Sequence, residues 1–152
     1  MIGCLIIHGY TGGPYEVDPL AEFLRDNTDW HIEVPTLPGH GKELHLKNAS
    51  YKRWIQAAEK ELRKLQDSFD EVYVIGFSMG GMIAAYLAAK YKIDKLVLLA
   101  TSGKYLNFKQ IGLDVAEVIG DGLRGTLEEN KLYHHYRKKL GTVPLKANIE
   151  FM

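Results

Sequence analysis

The stretch that most restricts what this chain can fold into is residues 72–81. A short apolar run, Val72-Tyr73-Val74-Ile75, passes directly into Gly76-Phe77-Ser78-Met79-Gly80-Gly81, and Met82 to Lys90 then continues small and apolar nearly all round. A buried strand that enters a helix within a few residues must reverse sharply. Glycines on both sides of the reversal remove the side chains that would collide where the two backbones cross. The stretch therefore predicts a strand, a tight turn and a well-buried helix.

The same alternation recurs. Cys4 to Ile7 is an apolar run closed by His8-Gly9-Tyr10-Thr11-Gly12-Gly13-Pro14, which predicts a strand and a glycine-rich turn. A helix is predicted from Tyr15 to Asn27 on the spacing of Val17, Leu20, Ala21 and Leu24, and a strand from Trp30 to Val34. Thr36 to Asn48 carries Pro38, Gly39 and Gly41 and is predicted as loop. Ser50 is a predicted N-cap for a helix whose apolar stripe is Trp54, Ile55, Ala58, Leu62, Leu65 and Phe69. Leu96 to Leu99 predicts a fourth strand. Strands alternating with helices at this spacing imply an α/β class chain with a mostly parallel sheet and right-handed crossovers. Fully apolar strands imply helices on both faces. After Gly103 the pattern changes to helical periodicity alone. The expected organisation is a sheet core over residues 1–103 and an α-helical cap, or lid, over 104–152.

Nineteen basic and nineteen acidic residues among 152 give formal net charge zero, which argues against a broad electrostatic grip on nucleic acid or an anionic membrane. The short basic run from Lys131 to Lys139 reads as a solvated helix face. A single cysteine, Cys4, excludes an internal disulfide framework and a cysteine-rich zinc site. No basic n-region precedes the first apolar run, and no run reaches the roughly 18 residues of a membrane span. A cytoplasmic protein without stable membrane insertion is the expectation.

Gly76-x-Ser78-x-Gly80 fits the G-x-S-x-G nucleophile turn, a pattern that chance places in roughly one chain of this length in twenty. Its setting between an apolar strand and a helix is what gives it weight. The turn lifts the serine oxygen above the sheet, and the helix start sets free N–H groups beside it. The N–H of Met79 would then face a developing oxyanion. A second donor is needed at the end of another strand, and the N–H of Tyr10 is the candidate. Gly9 and Gly12 would let backbone approach a ligand closely. The competing reading of both segments is two ordinary strand–helix turns.

At these turns the chain resembles the α/β-hydrolase family, in particular small bacterial carboxylesterases and monoacylglycerol lipases. The resembling segments are Leu5 to Gly12, Pro35 to Gly41 and Val74 to Gly81. The resemblance implies Ser78 as nucleophile, the amides of Tyr10 and Met79 as oxyanion hole, and hydrolysis of a small-molecule acyl ester through an acyl-enzyme. It implies no cofactor and no metal. The family places its acid and histidine after further strands, beyond the lid, so the expectation is a truncated α/β-hydrolase fold whose triad acid and histidine are not in this chain. An order Ser78, Asp114 or Asp121, then His134 or His135 exists formally, but none of these follows a predicted strand, and surface polar residues are the preferred reading. His40 is expected to brace its Pro-Gly-His-Gly loop and His8 to shape the first turn, while His31 and His45 have no visible partners. Two other readings stay open: a non-catalytic fragment that binds acyl groups or partners, and a thioesterase or acyltransferase on the same site. A sheet lacking its last strands would also leave an edge for self-association.

Overall fold

A computed structural model of the chain describes residues 1–101. The cap expected at 104–152, with Asp114, Asp121, His134 and His135, lies outside the described residues. In chain order the elements are β1 (Ile2–Ile7), α1 (Asp18–Asn27), β2 (His31–Glu33), α2 (Tyr51–Ser68), β3 (Glu71–Phe77), α3 (Met79–Lys90) and β4 (Lys95–Leu99). Short 3₁₀ turns at Pro14–Glu16 and Leu46–Asn48 precede α1 and α2.

The local signals explain most of these bounds. The helix predicted from Tyr15 is split, because Pro14 opens a 3₁₀ turn and α1 restarts at Asp18 with Pro19 in its first turn. Proline there loses no hydrogen bond, since the first-turn amides have no intrahelical acceptor. Ser50 caps α2 as expected: its side chain accepts from the Arg53 N–H at 3.4 Å. The apolar stripe of α2 buries Trp54, Ala58, Leu62 and Leu65. The third strand runs two residues further than its apolar run, through Gly76 and Phe77, so the helix starts immediately after Ser78.

All strands pair in parallel, in the order β2-β1-β3-β4. That order fixes the layers. The step from β1 to β2 goes one way across the sheet, and the steps from β2 to β3 and from β3 to β4 go the other way. With right-handed crossovers, α1 must lie on one face and α2 and α3 on the opposite face. The core divides accordingly. Leu5, Ile7, Val72 and Val74 pack with Trp54, Ala58 and Leu62 of α2 and Ile83, Ala84 and Leu87 of α3. Cys4, Ile6, Tyr73 and Ile75 pack with Ala21 of α1 and with Val17 and Ile32. Each fully buried leucine or isoleucine here stabilises the fold by about 1.5–3 kcal/mol.

One expectation of burial is corrected at the β4 side. The third helix is buried on one face only: Ile83, Ala84 and Leu87 are inside, while Met82 and Tyr86 are more than 40% exposed. In β4, Leu96, Val97 and Leu98 are also exposed. An apolar composition cannot say which faces meet a partner, and among the described residues β4 pairs with β3 alone. Among the described residues no helix is long and apolar enough to cross a membrane.

Candidate active site

The strands β1 and β3 are neighbours whose following segments leave toward opposite faces of the sheet. Their carboxyl ends therefore bound the crevice at the topological switch point, where open α/β sheets place ligands. The two glycine turns singled out in the sequence both lie there.

Ser78 is at a sharp elbow. Its backbone has φ +54° and ψ −117°, and it is the residue that caps α3. A non-glycine residue in such a conformation costs of order 1–3 kcal/mol and persists only where its surroundings hold it. The Ser78 N–H donates to the Leu99 carbonyl at 2.9 Å, and the Gly81 N–H donates to the Ser78 carbonyl at 3.0 Å. The flanking glycines are required by contact. A Cβ on Gly76 would lie 2.5 Å from the Gly81 Cα, and one on Gly80 would lie 2.6 Å from the His8 carbonyl oxygen. The strand, the helix and the end of β1 thus meet backbone to backbone around the serine. Met79 is buried at the head of α3, where helix geometry leaves its N–H without an intrahelical acceptor.

The first turn meets this elbow at Gly9. A point one Cβ above Gly9 is 3.3 Å from the Ser78 Cβ and 3.2 Å from Glu16 Oε2. The buried Gly9 N–H donates to that same carboxylate oxygen at 3.0 Å. The space over Gly12 is also taken by the Glu16 carboxyl group. The close approach that Gly9 and Gly12 permit is therefore used, at least in part, by a side chain of the chain itself. Much of Glu16 is exposed, but its carboxyl end is lodged against the turn, and this burial raises its pKa, the Gly9 hydrogen bond offsetting part of the rise. Sequence reasoning missed Glu16. Its only signal was a carboxylate just past a glycine-rich turn, at a helix start where acidic residues are common anyway.

Residues 36–41 close the crevice from a third side. The His8 ring is fully buried and has both nitrogens engaged: Nε2 accepts from the Leu37 N–H at 3.1 Å, so Nδ1 carries the proton and donates to the Gly9 carbonyl at 2.9 Å. The Gly41 N–H donates to the Gly12 carbonyl. His40 does brace its loop, through Nδ1 donating to the Pro38 carbonyl at 3.2 Å, and the Trp54 indole N–H donates to the same oxygen at 2.9 Å. The rings of His8, Tyr10 and Trp54 surround His40 at centroid distances of 5.2, 6.0 and 5.3 Å. Burial lowers the pKa of both imidazoles, that of His40 to about 4, with the neighbouring His8 adding to the effect. Burial likewise pushes the Tyr10 phenol up to about 12 and the Cys4 thiol up to about 12.

The other two described histidines lie elsewhere. His31 pairs in register with Gly3, toward the amino end of β1, and stacks on Phe69; His45 is exposed beside Glu43. Ser78, Met79 and the turn bearing Tyr10 are thus brought together, and of the described histidines only His8 and His40 are near them. Among the described residues no group of three or more His, Cys, Asp or Glu side chains could hold a metal ion.

A doubly wound parallel sheet with a strained serine elbow at its switch point is the architecture of an α/β-hydrolase. A family profile described as alpha/beta hydrolase fold matches residues 5–149, and the chain belongs to that family. It is 32% identical over 88 residues to a thermostable monoacylglycerol lipase of Bacillus sp. (strain H-257), covering 57% of this chain and 35% of the relative. It is 33% identical over 102 residues to Lipase 3 of Moraxella sp. (strain TA144), covering 65% of this chain and 31% of that protein. The chain thus spans about a third of the length of these curated relatives. Among solved structures, one from a study of LipS and LipT, two metagenome-derived lipolytic enzymes, matches at TM-score 0.60 and 26% identity, over 64% of this chain and 40% of that one.

Proposed function

We propose that this chain carries the nucleophile half of a serine ester hydrolase of the carboxylesterase or lipase type. The observation that carries the reading is Ser78, held at φ +54° on a glycine-flanked elbow beside the Gly9 turn. Ser78 Oγ attacks the carbonyl carbon of a small acyl ester. The negative charge that forms on the carbonyl oxygen is met by the Met79 and Tyr10 amides, preorganised donors that need no reorganisation during the step. Expulsion of the alcohol leaves an acyl-serine, which water then hydrolyses. The lipases among the relatives support an acyl ester as the substrate, and the reading takes it to be of modest length. Thioester hydrolysis and acyl transfer would use the same groups. A cytoplasmic setting belongs to this reading, with the single thiol, Cys4, buried.

A serine nucleophile also needs a base that accepts its proton and an acid that orients the base. His8 has both ring nitrogens committed to backbone groups, and His40 is too acidic to hold a proton near neutral pH. Neither of these two described histidines therefore serves as the base, which supports the reading, implied by the family resemblance, that the acid and histidine come from elsewhere, and supports the non-catalytic reading equally. The 152-residue chain is expected to hydrolyse p-nitrophenyl esters only in traces, since an oxyanion hole without its triad retains roughly 10³–10⁴ over water. Ser78→Ala should remove only the part of that trace that passes through an acyl-serine, leaving the part owed to the oxyanion hole alone. Turnover at ordinary enzyme rates, lost on His134→Ala or His135→Ala, would overturn the assignment of the base.

The exposed Leu96, Val97 and Leu98 on β4 support self-association as part of this reading, the β4 edge pairing with a second copy. Sedimentation at several concentrations, with apolar-dye binding alongside, should show concentration-dependent growth. A compact monomer that binds no dye contradicts it.

A further inference from the structure

We propose that Glu16 is a positioning residue for the Tyr10 amide, acting with His8 to fix both peptide planes that flank Gly9. The proposal rests on the reading of Tyr10 as an oxyanion donor and adds what holds it in place. The Gly9 N–H belongs to the His8–Gly9 peptide, and Glu16 Oε2 accepts it at 3.0 Å. The Gly9 carbonyl belongs to the next peptide, Gly9–Tyr10, and His8 Nδ1 donates to it at 2.9 Å. A trans peptide carries its carbonyl and its N–H on opposite sides of one plane, and the described chain has no cis peptide. Holding the Gly9 carbonyl toward His8 therefore turns the Tyr10 N–H away from His8. Each hydrogen bond limits one of the two torsions of Gly9, the residue with the most freedom to flip. The next residue but one, Thr11, adopts φ +63°, a conformation that a non-glycine residue keeps only where its surroundings hold it.

The chemistry of the two clamps differs. His8 is neutral and buried, and its other nitrogen is held by the Leu37 N–H. Glu16 offers an ionised acceptor, and hydrogen bonds to charged acceptors are the stronger kind. Its carboxyl also fills the space above Gly12, so it packs against the turn as well as bonding to it. The titratable groups around Gly9 are Glu16 and His8, with Tyr10 and Tyr15 on the same turn and His40 packed against His8 from the 36–41 loop. Burial moves Glu16 upward and His8 downward, toward each other, so a variant is needed to separate them.

The test is a pH series of amide ¹H–¹⁵N spectra of the full chain, which needs no turnover. In the wild type, the Gly9 and Tyr10 amides should shift together with a midpoint above the usual carboxylate value. Glu16→Gln keeps an acceptor oxygen but cannot titrate. It should abolish that step while leaving the Tyr10 amide near its wild-type position at neutral pH. Glu16→Ala should move the Tyr10 amide and speed exchange of the Gly9 amide about tenfold, the effect of losing one charge-assisted hydrogen bond. Any Ser78-dependent ester hydrolysis should survive better in Glu16→Gln than in Glu16→Ala. A Tyr10 amide that ignores Glu16 protonation in the wild type and coincides in all three proteins overturns the proposal. The ester assay on Ser78→Ala tests the nucleophile separately, so failure of that reading would leave the Glu16-linked spectral step in place.

Discussion

Gly80→Val should prevent the chain from reaching a cooperatively folded state, and Gly80→Ala should destabilise it by about 3 kcal/mol or more. The reason lies in what a side chain at this position would strike. Its Cβ would fall on the carbonyls of Ile7 and His8, backbone atoms at the end of a central strand. A flexible side chain could swing aside, but these carbonyls could yield only if β1 shifted against β3, and the two are in register over six residue pairs. The helix start is held close to the sheet at a second point, since Gly76 of β3 meets Gly80 and Gly81 of α3 backbone to backbone. Net stabilities of domains are only about 5–15 kcal/mol, so a branched side chain at this contact consumes much of the total. Chemical denaturation followed by circular dichroism reads the effect. A Gly80→Val protein with a wild-type midpoint would show that the helix does not cross the strand this closely.

Acidification is the second large effect. His40 is buried and titrates in the fold at about 4, against an ordinary value of 6.5. The unfolded chain therefore binds the proton first as pH falls. Stability should be full above about pH 6.5 and decline down to about pH 4, where the folded form protonates as well. Two and a half units correspond to about 3 kcal/mol from His40 alone. His8 acts in the same direction, since burial lowers its pKa also and a second ring proton would face the Leu37 N–H that Nε2 now accepts. Glu16 opposes them, because a raised carboxylate pKa favours the fold as pH falls. Urea midpoints at neutral pH and near pH 4.5 should differ accordingly. Replacing His40 by the non-titrating glutamine should flatten that difference, whatever the variant's stability at neutral pH. Equal midpoints in the wild type at the two pH values would refute the burial of these rings.

The order of elements and the elbow were legible in the sequence because both rest on local chemistry. The run Val72 to Ile75 ahead of Gly76, and Ser50 ahead of the α2 stripe, announce a strand and a helix start within a few residues. What was not legible depends on partners far along the chain. The Leu37 N–H reaches His8 across 29 residues, and the Trp54 indole reaches Pro38 across 16. Nothing in either segment specifies those meetings. The glycines of the first turn were read as room for a ligand, whereas the Glu16 carboxylate fills part of that room. Met82 and Tyr86 failed as core residues for a related reason: apolar composition states a preference for burial and cannot supply the surface that would satisfy it.

The strand order β2-β1-β3-β4 bears on how this part of the molecule could be assembled during synthesis. Of the four described strands the earliest, β1, is an inner one, and each later one adds beside it or further out. β2 takes one flank of β1, β3 the other, and β4 the free side of β3. None of the described strands has to be inserted between two that are already paired. Growth can then be outward from a single seed, with each arriving segment meeting an open row of backbone groups. The serine elbow follows in the same sequence of events. Its crossing glycine, Gly80, rests on the carbonyls of Ile7 and His8, so the earliest of the described strands is the template on which the reactive turn is later shaped.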